Sequence, residues 1–167
     1  PGWFHHPAED GRVKSVERLV DIYCQSVGRN SKLLLNVPPT RDGVLHPNDE
    51  ARLMEFRDRR NAMFGNDVAT GREVAWWKMD GRTWNAQVDL GRTVTSGLVR
   101  LEENIERGQT ISRYSRSVTT GDSDLQLVQE SGTTIGYARI VRFMPTTFSR
   151  VFVEVEGVAT PNPIAIK

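Results

Sequence analysis

The sequence predicts an α/β segment followed by an all-β domain. Apolar residues recur at helical spacing through Phe64, they alternate strictly with polar ones beyond it, and the changeover falls on the run Gly65-Asn66-Asp67 through Gly71. The expected division is residues 1–66 for the α/β segment and 67–167 for the β domain, two small bodies within a 167-residue chain.

In the first segment, Val13, Val16, Val20, Tyr23 and Val27 stand at offsets 0, 3, 7, 10 and 14, the stripe of a half-buried helix. Ser15 suits its N-cap, and Gly28 its stop, because glycine adopts a left-handed turn without steric cost. The run Lys32 to Val37 carries Leu33-Leu34-Leu35 without alternation, as expected of a short parallel strand covered on both faces and ended by Pro38 and Pro39. After the Arg41-Asp42-Gly43 turn, Pro47 fits the first position of a second helix whose apolar stripe is Leu53, Phe56, Met63 and Phe64, with Gly65 as its end. Helix, parallel strand and helix form the grammar of a wound sheet or barrel.

In the second segment, Asp80-Gly81 marks a turn, and Trp84, Ala86, Val88 and Leu90 alternate with polar neighbours, predicting a hairpin with one buried face. Val151, Val153 and Val155 alternate likewise. Further strands are expected at Leu98 to Leu101, Leu125 to Val128 and Ile135 to Phe143, which together read as a β-sandwich.

Composition narrows the function classes. Twenty-two basic against 21 acidic residues leave a net charge of +1, so no whole-molecule field favours nucleic acid or an anionic membrane. A single cysteine, Cys24, excludes an intrachain disulfide and a cysteine zinc cluster. No apolar run is long enough to span a bilayer, and no signal segment is present. The first segment, with two helices and one or two parallel strands, is too small to bury an adequate core alone. It therefore reads as a piece of something longer.

The residues also carry a resemblance. Pro1-Gly2-Trp3-Phe4-His5-His6-Pro7 with Glu9-Asp10, then Val13-Lys14-Ser15 and Leu19-Val20-Asp21-Ile22-Tyr23, resemble the late barrel region of retaining α-L-fucosidases, glycoside hydrolase family 29. Ser26-Val27-Gly28-Arg29-Asn30, Leu33 through Pro39 and Gly43 through Asp49 are similar to that family's last strand and last helix. Glu102-Glu103-Asn104-Ile105, Gly108-Gln109, Gly132 through Tyr137 and Arg142-Phe143 are similar to the β-sandwich that follows the barrel, although the stretch from Arg72 to Trp84 is shorter here.

The resemblance implies the C-terminal fragment of a (β/α)₈ TIM barrel followed by a small β-sandwich of the galactose-binding type. It implies a fucosylated oligosaccharide or glycoconjugate as ligand, no cofactor, and export to the periplasm or extracellular space. A retaining glycosidase uses a nucleophilic carboxylate and an acid/base carboxyl roughly 5 Å apart. In the family both precede the Pro-Gly-Trp-Phe segment, so this chain alone is expected to be inactive. The rival expectation is a non-catalytic sandwich that binds carbohydrate or braces the barrel.

Three residues are the expected substrate contacts. Trp3 offers an indole face to the sugar, or else is a core tryptophan. Asn36 follows the apolar run, where strand ends reach a barrel's catalytic mouth, or else serves the turn beside Pro38. His6 is the more eligible of two adjacent histidines for a hydrogen bond near the pocket. His5 and His6 point to opposite sides of an extended segment and so make a poor metal site. Glu9 and Asp10, placed before the first helix, are expected to favour its positive end rather than act as a catalytic pair. Cys24 reads as a buried small hydrophobe. Arg52, Arg57, Arg59 and Arg60 alternate with Glu50, Glu55 and Asp58, a solvated helix face with Glu55 four residues before Arg59. Of Trp76 and Trp77, one is expected in the core and the other exposed. Trp84 reads as core, and Tyr137 and Arg139 contact either carbohydrate or protein. No metal, nucleotide, nucleic-acid or membrane partner is expected.

Overall fold

The computed structural model describes residues 3–106, 108–120, 128–157 and 164–167. The chain forms two compact units, one of Pro1–Ser26 with Ser31–Asn66 and one of Val27–Asn30 with Asp67–Lys167.

The first unit holds a 3-10 turn at Pro7–Glu9 and two helices, α1 (Val16–Ser26) and α2 (Pro47–Phe64). Ser15 caps α1, its Oγ accepting from the Arg18 N–H at 3.2 Å. Of the predicted stripe Val20 is buried and Val13, Val16, Tyr23 and Val27 are half-buried, while Leu19 and Cys24 on the same side are buried. Tyr23 meets Phe56 and Phe64 of α2 at ring distances of 6.2 and 5.8 Å, so the two stripes face each other. The charged face of α2 is tied internally by Arg52–Glu55 at 3.0 Å and Arg57–Asp58 at 2.8 Å. Pro47 occupies the first turn, and Gly65 ends the helix in a right-handed conformation, its N–H donating to the Asn61 carbonyl at 2.7 Å.

Two expectations for this region fail. Lys32 to Val37 joins no strand ladder, because a strand exists through its partner and none of the described residues pairs with this run. Leu33 and Leu35 are half-buried while Leu34 is 95% exposed, so one side of the run is covered rather than two. Every ladder among the described residues is antiparallel. Gly28 is not the left-handed residue either. That role falls to Asn30, at φ 64°, which polar asparagine tolerates by bonding locally.

The second unit is an antiparallel sheet of β1 (Val74–Asp80), β2 (Thr83–Glu103), β3 (Arg113–Thr119), β4 (Val128–Gly132), β5 (Arg139–Glu156) and β6 (Ile164–Ile166). Its order is β1-β2-β5-β3-β4, with β6 pairing onto β2. The hairpin at Asp80-Gly81 forms as predicted. The separate strand expected at Leu98 to Leu101 is instead the far half of β2, and of the strand expected at Leu125 to Val128 only its end lies within the described residues.

The unit is organised by two long strands. β2 and β5 pair from Thr83↔Glu156 to Asp89↔Arg150, slip register, and pair again through Leu101↔Arg139. The first slip contains Gly91 at φ +67°, where a Cβ would lie 2.6 Å from the Arg72 guanidinium. Asp89 fastens this bend by accepting from the Gly91 N–H at 2.8 Å and from Arg150 Nε at 2.9 Å. Those bonds, Gly91 first, hold its carboxyl below the ordinary aspartate value. The near halves (Ala86, Val88, Val153) and the far halves (Val99, Leu101, Val141) bury side chains in one core. Each buried valine or leucine there contributes about 1.5–3 kcal/mol.

One buried carboxylate closes the far end. Glu103, 4% exposed, accepts on Oε1 from the N–H groups of Thr110 and Ile111 at 2.5 and 2.9 Å and from the Thr110 hydroxyl at 3.1 Å. Its Oε2 accepts from the Gly136 N–H at 3.1 Å. Gly136, at φ +62°, lies so close to Asn30 that an added Cβ would fall 2.2 Å from Asn30 Cγ. Asn30 in turn donates its N–H to the Ala138 carbonyl at 3.0 Å and accepts the Tyr137 N–H at 2.9 Å, and Gly28 accepts the Ile140 N–H at 2.9 Å. Residues 27–30 thus belong to the β unit by their own hydrogen bonds.

Replacing Glu103 by Ala orphans the buried Ile111 and Gly136 N–H groups and the two part-buried donors of Thr110, and is expected to lower unfolding free energy by about 3 kcal/mol or more, with Gln costing less. Urea unfolding followed by tryptophan fluorescence reads this, and a loss under about 1 kcal/mol would show that solvent satisfies those donors equally well. A second test concerns Asp89. Its depressed carboxyl contributes stability above the ordinary aspartate value and loses it as pH falls through the lower, folded value. The stability difference between wild type and Asp89→Asn is therefore expected to narrow between about pH 6 and about pH 2. A constant difference across that range would remove the carboxylate's charge from the account.

Candidate functional site

The sequence-expected contacts Trp3, His6 and Asn36 all lie in the first unit. A cleft of about 270 Å³ there is bordered by Phe4, His6, Asn36, Val37, Arg52 and Leu53 among others. Trp3 does not border it. The indole is 80% exposed, and Phe4 beside it is 78% exposed. Asn36 Nδ2 donates to the Trp3 carbonyl at 3.3 Å, so the chain brings these two residues together through 33 positions of sequence. His6 is exposed at the edge of the cleft.

The segment that carries Trp3 and His6 is anchored by Asp10. One carboxylate oxygen accepts from His5 Nε2 at 2.8 Å, and the other faces His46 Nε2 at 3.3 Å. The two imidazoles stack with centroids 6.0 Å apart and planes 22° from parallel. His46 is the N-cap of α2, extended at φ −67° and ψ 139°, and its Nδ1 accepts the Asn48 N–H at 3.2 Å. Asn48 returns a bond from Nδ2 to the Asp10 carbonyl at 2.8 Å. Four side chains therefore bind the Trp3–Asp10 stretch to the first turn of α2.

This arrangement corrects one expectation. Asp10 precedes α1 in sequence, yet its carboxylate and carbonyl serve the start of α2. Tertiary proximity decides here, because the 3-10 turn at Pro7–Glu9 folds the segment back. Glu9 pairs with Arg12 at 3.6 Å. The two histidines diverge, since His5 joins the Asp10 network and His6 does not. Among the described residues no group of three His, Cys, Asp or Glu side chains converges as a metal site. Sequence reasoning overlooked His46, although a signal was present: with Pro47 as the first helical residue, position 46 is the N-cap, where an imidazole acceptor can stand in for the usual Ser or Asp.

The remaining candidates have plain surroundings. Cys24 is buried. Trp76 and Trp84 pack against the β core, while Trp77 is 38% exposed on the edge strand β1. Arg139 Nε donates to the Tyr114 hydroxyl at 2.9 Å and its guanidinium lies over that ring, and Tyr137 meets Asn30 through its backbone. Arg116 is a charge the sequence reading passed over. It is buried in the β unit with its guanidinium 4.5 Å from the Phe143 ring and 3.8 Å from Glu130, and burial lowers its pKa.

Known proteins resemble this chain across both units. The alpha-L-fucosidase family profile matches residues 2–58. Alpha-L-fucosidase 1 of Arabidopsis thaliana is 29% identical over an aligned stretch of 191 residues, covering 98% of this chain and 37% of the relative. The structure of a Ruminococcus gnavus GH29 fucosidase in complex with fucose superposes with a TM-score of 0.83 at 27% identity, over 99% of this chain and 37% of that one. A glycoside hydrolase 29 family member from an unknown rumen bacterium reaches 32% identity and a TM-score of 0.78 over 100% of this chain and 30% of its own. The chain spans about a third of the length of the curated relatives it matches, 32% and 37%.

The cap is separable from the rest of the network by substitution. His46→Ala is expected to destabilise the protein by about 1–2 kcal/mol, and His46→Asn, which keeps a capping acceptor, by clearly less. Equal losses in chemical denaturation would mean that the imidazole contributes only through Asp10.

Proposed function

We propose that this chain, a relative of the C-terminal part of the family 29 α-L-fucosidases, belongs to an exo-acting retaining α-L-fucosidase that removes terminal α-L-fucosyl residues from glycans. The observation that carries this reading is the breadth of the likeness: helical unit and β unit together, nearly end to end, follow a relative whose structure contains fucose.

On this reading, the residues of the first unit form part of a sugar-binding wall. The exposed indole of Trp3 offers an apolar face for the ring and methyl group of fucose, and Asn36 holds the Trp3 backbone. His6, at the rim of the cleft, supplies a hydrogen-bonding edge for hydroxyls.

The displacement itself needs a nucleophile and an acid/base roughly 5 Å apart. The acids near Trp3 are engaged elsewhere, Asp10 with both oxygens on imidazoles and Glu9 with Arg12. Both catalytic carboxylates are therefore assigned to the part of such an enzyme that these 167 residues do not match, and the chain by itself is inactive. In the β unit, Trp77 is the tryptophan of edge strand β1 exposed to a glycan.

Hydrolysis of an aryl α-L-fucoside by the full-length protein tests the reading. Full-length protein is expected to turn over and the 167-residue chain alone is not. Trp3→Ala is expected to raise KM about tenfold, the equivalent of one aromatic–sugar contact. Unchanged kinetics in that variant would refute the wall role of Trp3, and turnover by the isolated chain would refute the assignment of the carboxylates.

A further inference from the structure

We infer that Asp10 is a positioning residue that holds His5 and His46 as Nε2-protonated neutral imidazoles and thereby ties the Trp3–His6 segment to the N-cap of α2. The argument starts from donor and acceptor capacity. An ionised carboxylate only accepts, so each imidazole nitrogen facing Asp10 must carry a proton. Those nitrogens are Nε2 of His5, at 2.8 Å, and Nε2 of His46, at 3.3 Å.

For His46 a second constraint points the same way. Its Nδ1 receives the Asn48 N–H at 3.2 Å, which requires a lone pair there. A proton on Nδ1 would set donor against donor and release the cap, so the neutral Nε2–H tautomer alone satisfies both neighbours.

For His5 the other nitrogen, Nδ1, is buried without a hydrogen-bond partner. A lone pair left there costs less than an N–H, because an orphaned buried donor loses more than an under-used acceptor. Asp10 thus sets the proton positions of both rings, and through His5 it fixes the backbone two residues from Trp3.

The consequence is specific for Asp10→Asn, which is nearly isosteric. An asparagine can turn only one acceptor toward the pair, and His46 is bound to its tautomer by Asn48. The amide NH₂ therefore faces His5, whose proton must leave Nε2 for the partnerless Nδ1. Asp10→Glu keeps an acceptor-only group and preserves both tautomers. A mere packing role for Asp10 predicts no such switch.

The experiment is nitrogen NMR of ¹⁵N-histidine- and ¹⁵N-tryptophan-labelled full-length protein. The His5, His46 and Trp3 signals are assigned by their loss in His5→Gln, His46→Gln and Trp3→Phe. Wild type is expected to show Nε2 protonated in both rings, Asp10→Asn to move the His5 proton to Nδ1 and shift or broaden the Trp3 indole signal, and Asp10→Glu to restore the wild-type pattern. A wild-type spectrum with Nδ1 protonated in either ring overturns the inference without recourse to any variant. So does a Trp3 signal that Asp10→Asn leaves unchanged.

That the positioned segment touches sugar rests on the proposed function, whereas the tautomers do not. Titration with L-fucose separates the two: an intact imidazole pattern in a wild-type protein that binds no fucose would count against the fucosidase reading and leave Asp10 as a positioning residue. An affinity about tenfold weaker in Asp10→Asn, with the His5 switch observed, supports both.

Discussion

The antiparallel pairing of β2 with β5 is the constraint on which the β unit depends. Strands of 21 and 18 residues are long for a globular domain, and a straight ribbon of that length would leave one face in water. Two register slips along the pair let its near and far halves bury side chains in one shared core. The other strands then attach to an existing template, β1 and β6 onto β2 and β3 onto β5, with β4 joined to β3. Cross-strand neighbours such as Asp89 and Arg150 hold the bend where backbone pairing lapses.

Two hydrogen-bonded acids do different work in the two units. Glu103 is a structural acceptor, surrounded by backbone N–H groups from two loops, and its burial is tolerated because its oxygens are satisfied. Asp10 is more exposed and accepts from side chains whose proton positions are variable. The first arrangement secures a loop, while the second can also decide which nitrogen of a ring is a donor.

Much of the β unit was legible because strand periodicity is a local property. Trp84, Ala86, Val88 and Leu90 alternate in sequence and face the core in the structure, and Asp80-Gly81 makes the turn it announces. The helices were legible for the same reason, down to Ser15 and Pro47 at their starts. The run Leu33-Leu34-Leu35 misled, because an apolar run signals burial only if other chain covers it. Gly28 misled in another way: the left-handed turn came two residues later, at Asn30, where hydrogen bonds to residues 137 and 138 stabilise it. The site shows the same division. Trp3, Asn36 and His6 could be named from their resemblance to a family, but the partnership of His5, Asp10 and His46 spans 41 positions and follows no spacing rule.

The sequence by itself determined the two helices and their starts, the hairpin, the near-neutral charge and the likeness to a sugar-cleaving family. Each of these depends on neighbours within a few residues or on the order of residues in the chain. Only the tertiary structure decided that β2 and β5 run through both halves of one core, that residues 27–30 belong with the β unit, that Trp3 stands in solvent and that Asp10 serves the second helix instead of the first. Those outcomes rest on contacts between residues far apart in sequence, and such contacts exist only once the chain has closed on itself.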